Sequence, residues 1–398
     1  MIDQSKVWTG ALNSEVVDTG PFEKVGRVGL YDTTLRDGEQ TVGVVLDPDA
    51  KLELARALDR LGMDRIEAGF ARVSADDVRA YELIMEAGLN AEVWGFSRAV
   101  PEDLSQLIEL GVKAAVIESP VSDGKLAAYG ISREKIIGRI VDAVSHASGE
   151  GMTVCFFGVD GTRADLSFLE EVYRAAVEAG AQEIAVVDTL GIAAPETAAF
   201  LVRRCREWLG PEVPIHWHGH NDFGLATACA IEAVRAGASW IHGTVNGMGE
   251  RAGNANLAEF ALAIEALYGA ETNLRFEHIT EVAELVQERS GYRLEPYKPV
   301  TGANLFRRES GAVASQFHDP QAVEPYSSEL VRARREIVLG KKSGIDSIRI
   351  RVDELGLDVP EERFPELLGA VKQLGSSQHR LVTDDEFRRL AAQPSLPV

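Results

Sequence analysis

PIHWHGHNDFGLATACAIEAVRAGASWIHGTVNGMGERAGNANL runs from Pro214 to Leu257. It opens as an apolar strand that ends in His218-Gly219-His220-Asn221-Asp222. Residues two apart on a strand point to one face, so His218 and His220 project side by side. Two neutral imidazoles so placed suit one divalent metal. His216 shares the parity one layer deeper, where a buried, hydrogen-bonded role fits better than a third ligand, although the pairing of His216 with His218 stays open. Behind the strand come an amphipathic helix, a second strand ending at Thr244, and the glycine-rich loop Asn246 to Asn254.

Working outward, the same strand–helix rhythm repeats eight times. The strands read RVGLYDTTL, DRIEAGF, AEVWGFS, KAAVIES, TVCFFGV, EIAVVDT, IHWHGH and WIHGTVN. They are near-continuous apolar runs, as expected of a parallel sheet covered on both faces. Most of the intervening helices stop at glycine. Eight such units over about 245 residues fit a TIM (β/α)8 barrel. An open doubly wound sheet is the competitor, but its phosphate fingerprint after the first strand is missing. The expected organisation is an N-terminal polar, irregular arm over 1–25, a catalytic barrel over 26–272 and mainly helical C-terminal subdomains over 273–398. That tail, with helices expected at SSELVRARREIVLG, KKSGIDSIRIRVDELG and EERFPELLGAVKQLG, reads as a lid or dimerisation appendage.

The 398 residues carry a net charge of −21, which argues against nucleic acid or an anionic membrane as a general partner. No apolar run of spanning length occurs, no signal-peptide pattern is visible at the N-terminus, and Cys155, Cys205 and Cys229 form no paired framework. A cytoplasmic protein is the expectation.

Polar residues recur at the C-terminal ends of the strands, where TIM barrels place their sites. They include Arg36, Asp37 and Gln40 after strand 1, Glu67 after strand 2, Arg98 after strand 3, Arg163 after strand 5, and Thr244 after strand 8. Asp37 is the best carboxylate to join His218 and His220 on a divalent ion, Mg, Mn or Zn. A His-His-carboxylate set leaves positions open for substrate. A 2-oxo acid is its natural ligand, because ketone and carboxylate oxygens chelate through a five-membered ring. Arg36 would hydrogen-bond the polarised oxygen. Gly247 and Gly249 allow close backbone approach of a phosphate-bearing cofactor. Asn254 is either a fourth, oxygen-donating ligand or the N-cap of the last barrel helix.

LYDTTLRDGEQ, IEAGF, DTLG, HGHND and NGMGERAGN, in that order, with LGKKSG near Leu339, resemble the homocitrate synthase and 2-isopropylmalate synthase family, the DRE-TIM metallolyases. The resemblance implies a TIM barrel with Asp37, His218 and His220 as metal ligands, Asn254 as a further one, Arg36 on the 2-oxo acid, and Gln40 and Thr244 lining the pocket. It implies a homodimeric, metal-dependent acyltransferase that condenses acetyl-CoA with a 2-oxo acid to a 2-substituted malate and CoA. The larger regulatory domain of many isopropylmalate synthases is not expected, nor leucine feedback through it. The chain departs from the family pattern at Val159, Val313 and Val323, where a glutamate, a histidine and a tyrosine are usual. Valine neither donates, accepts nor titrates. His318 and Tyr326 lie near enough in sequence to stand in. Lys125 replaces a usual histidine and reads as a solvated loop lysine or as a contact to an anionic substrate arm. A metal-dependent C–C lyase or aldolase acting without acetyl-CoA is the alternative.

Overall fold

The computed structural model describes residues 2–394. Eight parallel strands close in sequence order into a barrel, the last pairing with the first. They are β1 (Gly29–Asp32), β2 (Arg65–Glu67), β3 (Glu92–Arg98), β4 (Ala114–Pro120), β5 (Thr153–Val159), β6 (Glu183–Asp188), β7 (Ile215–Gly219) and β8 (Trp240–Gly243). This is the TIM barrel expected from the eightfold rhythm. Each strand is followed by a helix on the outside. The helix starts follow local chemistry: Asp47, Ser74, Ser132 and Asp165 accept hydrogen bonds from first-turn amides. Pro48, Pro101 and Pro195 occupy first helical positions, where no donor is lost. An additional short helix, Asp123–Tyr129, capped by Ser122, precedes the one over Arg133–Gly149.

Alternate residues of the strands fill the lumen. Tyr31, Trp94, Phe96, Ala114, Val116, Cys155, Phe157, Ala185 and Val187 form one buried cluster. At the N-terminal end of the barrel the lumen turns polar. Arg65 lies between the rings of Trp94 and Trp240, 4.3 and 3.5 Å from their centroids. Its guanidinium makes two bonds to Glu183, 2.7 and 3.0 Å. Glu183 in turn lies 2.9 Å from His216 Nε2, and His216 Nδ1 lies 2.8 Å from Nε2 of His242. His216 therefore belongs to a buried network below the mouth, and the pairing of His216 with His218 as metal ligands falls away.

The described residues divide into two compact units, Ala11–Leu294 with Ile2, and Asp3–Gly10 with residues 295–394. The stretch expected to be an irregular arm carries short helices at Ala11–Val16 and Gly20–Val25. In the second unit, helices Ile345–Glu354, Phe364–Gln378 and Asp384–Ala392 pack round Phe364, Leu367, Val371 and Phe387. The helix expected over SSELVRARREIVLG does not form. Ser328–Val331 is a single 3-10 turn ended by left-handed Arg332, and Glu336–Ile337 pairs as a strand with Arg307–Arg308. Its alternation of charge and β-branched residues suits a short strand better than a helix. Among the described residues no helix is long and apolar enough to cross a membrane.

Candidate active site

β1 ends at Asp32 because the Asp32 carboxylate accepts from the Thr34 amide and hydroxyl, at 2.9 and 2.8 Å, and turns the chain. That turn carries Arg36 and Asp37 over the barrel mouth. Asp37 is buried, and its Oδ2 lies 3.4 Å from His218 Nε2 and 3.6 Å from His220 Nε2. The three form a group whose donor atoms lie within 4.8 Å of one another. Burial raises the pKa of Asp37, but Arg36, His220 and His218 outweigh it and hold the carboxyl below its ordinary value. Burial pushes His218 down to about 3 and lowers His220 as well, so both rings are neutral, the state in which imidazole ligates.

The residues fit a divalent ion. Bonds of about 2.0–2.2 Å to one ion put neighbouring donors about 3.0–3.5 Å apart, close to the spacings here. Both Asp37 carboxylate oxygens and Asn254 Oδ1 are buried without a hydrogen-bond partner among the described residues, a cost that coordination would offset. Asn254 does not cap the last barrel helix. Asn256 does, accepting from the amides of Ala258 and Glu259. Asn254 bridges to His220 through backbone pairing and donates its Nδ2 to the Met248 carbonyl at 3.0 Å, which leaves its Oδ1 free. A second buried group, Cys155, Glu183 and His216, meets the same distance criterion. It suits a cation poorly, because Arg65 already neutralises Glu183 and burial holds Cys155 as the thiol.

Arg36 is clamped. Its Nε donates to Glu67 Oε2 at 2.6 Å, its Nη1 lies 3.4 Å from Asp37, and its guanidinium carbon sits 4.2 Å from the Phe96 ring centroid. Nη2 is buried without a hydrogen-bond partner. One donor is thus held for an incoming oxygen.

The remaining predicted residues divide. Glu67 is fully buried and occupied by Arg36 and by the Tyr31 hydroxyl, 3.2 Å away, so it orients Arg36 and presents no free face to substrate. Thr244 is buried, its hydroxyl donating to the Met248 carbonyl at 2.7 Å. Gln40 is exposed on the rim and lines a cavity of about 320 Å³ together with Arg36, Phe70 and Ser74. Arg98 and Arg163 are each committed to a two-pronged ion pair, with Asp103 and Asp160 respectively. Gly247 and Gly249 do not present an open cradle. The amide of Gly249 donates to Thr41 Oγ1 at 2.8 Å and that of Gly247 to the Thr244 carbonyl. Both have positive φ, and a Cβ on Gly249 would sit 2.2 Å from Asn254 Nδ2. The glycines let the loop fold on itself and place Asn254. Lys125 donates its amide to Ser122, the cap of its helix.

Sequence reasoning missed Glu118 at the end of β4 and the 2.5 Å bond from the Ser122 hydroxyl to Asp160. It also missed His242 below the site. Strand parity was the available signal for Glu118 and His242.

Residues 27–286 match the HMGL-like family model, and residues 300–379 match the homocitrate synthase post-HMGL domain-like model. The chain belongs to the HMGL-like family. Within that family it is 40% identical to a homocitrate synthase of Methanopyrus kandleri, over 91% of each chain. It is 42% identical, over 92% of this chain and 72% of the other, to a protein of the same organism named as a candidate (R)-citramalate synthase. A 2-isopropylmalate synthase of Methanocaldococcus jannaschii is 38% identical, over 90% of this chain and 70% of the other. Relatives of this kind are acyltransferases, and this HMGL-like chain is an enzyme of that class. The HMG-CoA lyase of Bacillus subtilis superposes with a TM-score of 0.61 over 68% of this chain and 96% of its own, at 19% identity, which shows the shared barrel.

Proposed function

We propose that this enzyme condenses acetyl-CoA with a 2-oxo acid, giving a 2-substituted malate and CoA. The observation that carries the reading is the buried free Nη2 of Arg36 beside Asp37, His218 and His220. It is the donor that a ketone needs as its oxygen becomes an oxyanion. Asp37, His218 and His220 would hold a divalent ion, with Asn254 Oδ1 as a further ligand. When bound, such an ion acts as a Lewis acid toward a carbonyl. Glu67 keeps the Arg36 fork fixed, so the donor needs no reorganisation during the reaction. Phe96 and Phe157, flanking Arg36 and His218, exclude water and strengthen these charges. The identities to named synthases support condensation over the lyase or aldolase reading, since the likeness to lyases is one of fold. Assembly as a homodimer belongs to the same proposal, and sedimentation equilibrium tests it.

The test is CoA release, followed with a thiol reagent. The assay contains Mg²⁺ or Mn²⁺, acetyl-CoA and one of 2-oxoglutarate, 2-oxoisovalerate, pyruvate, oxaloacetate, phenylpyruvate or phosphonopyruvate. Release with one acid, abolished by Asp37→Ala, is expected. No release from any acid by protein that binds metal overturns the proposal.

A further inference from the structure

Glu118 stands at the end of β4, two and four residues beyond the lumen-facing Val116 and Ala114. Strand alternation therefore puts its side chain in the inward column, at the level of the mouth. It pairs in register with Arg98 of β3 and Phe157 of β5. Together with Ser119, Tyr129, Arg139 and Val159 it lines a cavity of about 240 Å³.

Its carboxylate has no hydrogen bond or ion pair among the described residues, although Arg36 is near enough for its charge to act on it. The charged groups facing it are Arg36 and Asp37 after β1, Glu67 on β2, Arg98 on β3 and Arg139 on the helix Arg133–Gly149. Arg98 is committed to Asp103, and Arg139 lies exposed at the rim. β5 contributes only apolar side chains near this level, Phe157 in register with Glu118 and Val159 beside Pro120. Burial, opposed by Arg36 and supported by Glu67, pushes Glu118 up to about 7. An unpartnered carboxyl inside a barrel mouth costs stability. Such placement belongs to groups that exchange protons near neutral pH.

We propose that Glu118 is the general base that removes a proton from the acetyl methyl group of acetyl-CoA. The proposal rests on the condensation reading above. The methyl C–H bond breaks and its proton bonds to a Glu118 carboxylate oxygen. The electron pair left on carbon forms the new C–C bond to the ketone carbon of the 2-oxo acid. The carbonyl π pair moves onto the ketone oxygen, within reach of Arg36 Nη2. Glu118 then returns its proton to that oxygen, which becomes the tertiary hydroxyl, and water cleaves the thioester to free CoA.

The test compares wild type, Glu118→Gln and Glu118→Asp in CoA release with protonated and methyl-deuterated acetyl-CoA, and measures Mn²⁺ binding calorimetrically. The expected result is a fall in kcat of about 10²–10⁴-fold for Glu118→Gln, with partial rescue in Glu118→Asp, unchanged Mn²⁺ affinity, and a primary isotope effect in wild type. The kcat/KM of wild type should fall as pH drops through about 7, since the base must be ionised. A Glu118→Gln enzyme within threefold of wild type overturns the assignment. If Glu118→Gln does not fold, as absent Mn²⁺ binding would show, a wild-type profile flat from pH 5.5 to 8 overturns it. Failure of wild type to release CoA with any 2-oxo acid instead overturns the condensation reading itself, and the base with it.

Discussion

The three nitrogens of Arg36 are used differently: Nε is bonded to Glu67, Nη1 lies beside Asp37, and Nη2 is buried without a hydrogen-bond partner. A lysine in its place keeps the charge but has no fork. Arg36→Lys is therefore expected to lower kcat by about 10²–10³-fold while Mn²⁺ affinity, measured calorimetrically, changes little. A loss of metal binding of the same size would show that Arg36 acts only by holding Asp37. At position 118 the sign of a stability effect follows from the raised pKa. The folded state binds a proton between the unfolded value, near 4.5, and about 7, so stability falls as pH rises through that window. Glu118→Gln removes that cost. Its melting temperature is expected to exceed wild type at pH 8 and to match it at pH 5. Equal melting temperatures at both pH values would contradict the burial argument. Asp37, His218 and His220 were legible in sequence because strand spacing and a following carboxylate-bearing turn restrict where they point. The roles of Glu67 and Arg98 were not, because sequence gives the strand end but not whether a charge is already paired.

The loop from Asn246 to Asn254 shows how an element can mislead. Its glycines read as a phosphate cradle. Instead, Gly253 approaches the Gly247 carbonyl so closely that a Cβ there would stand 1.9 Å from it, and Gly249 leaves room for the Asn254 amide. Composition shows that backbone will come close to something, and tertiary contacts decide that the something is the loop itself. Gly249→Ala is expected to displace Asn254 and weaken Mn²⁺ binding about tenfold, by calorimetry. Its far-ultraviolet circular dichroism should stay unchanged, because no barrel strand is touched. Unaltered affinity would remove Asn254 from the ligand set. The barrel helices were legible at nearly full length, since each has an apolar face and a glycine at or just past its end, and most start at a capping side chain or a proline. The segment Ser327–Gly340 was not, because its mixture of arginines and β-branched residues fits either a helix or a short strand until a partner strand, here Arg307–Arg308, is in place.

At the scale of the whole molecule, the barrel holds its chemistry at one end and a separate polar network at the other. Arg65 and Glu183 are both buried and bonded through two N–H···O contacts. Removing one partner leaves a charge stranded in the lumen, at about 3–5 kcal/mol. Arg65→Met is expected to destabilise the protein by that amount in urea unfolding. A change under 1 kcal/mol would mean that the tryptophan sandwich alone carries the position. The eightfold rhythm made the barrel legible because its strands are buried on both faces and its helices on one. The central claim is that the end bearing Asp37, His218, His220 and Arg36 joins two carbon chains. Mass spectrometry of the product formed from doubly ¹³C-labelled acetyl-CoA and the accepted 2-oxo acid tests it most directly. The expected product is a 2-substituted malate carrying both labelled carbons, formed one-to-one with CoA. Labelled acetate released with CoA while the 2-oxo acid stays intact would contradict it.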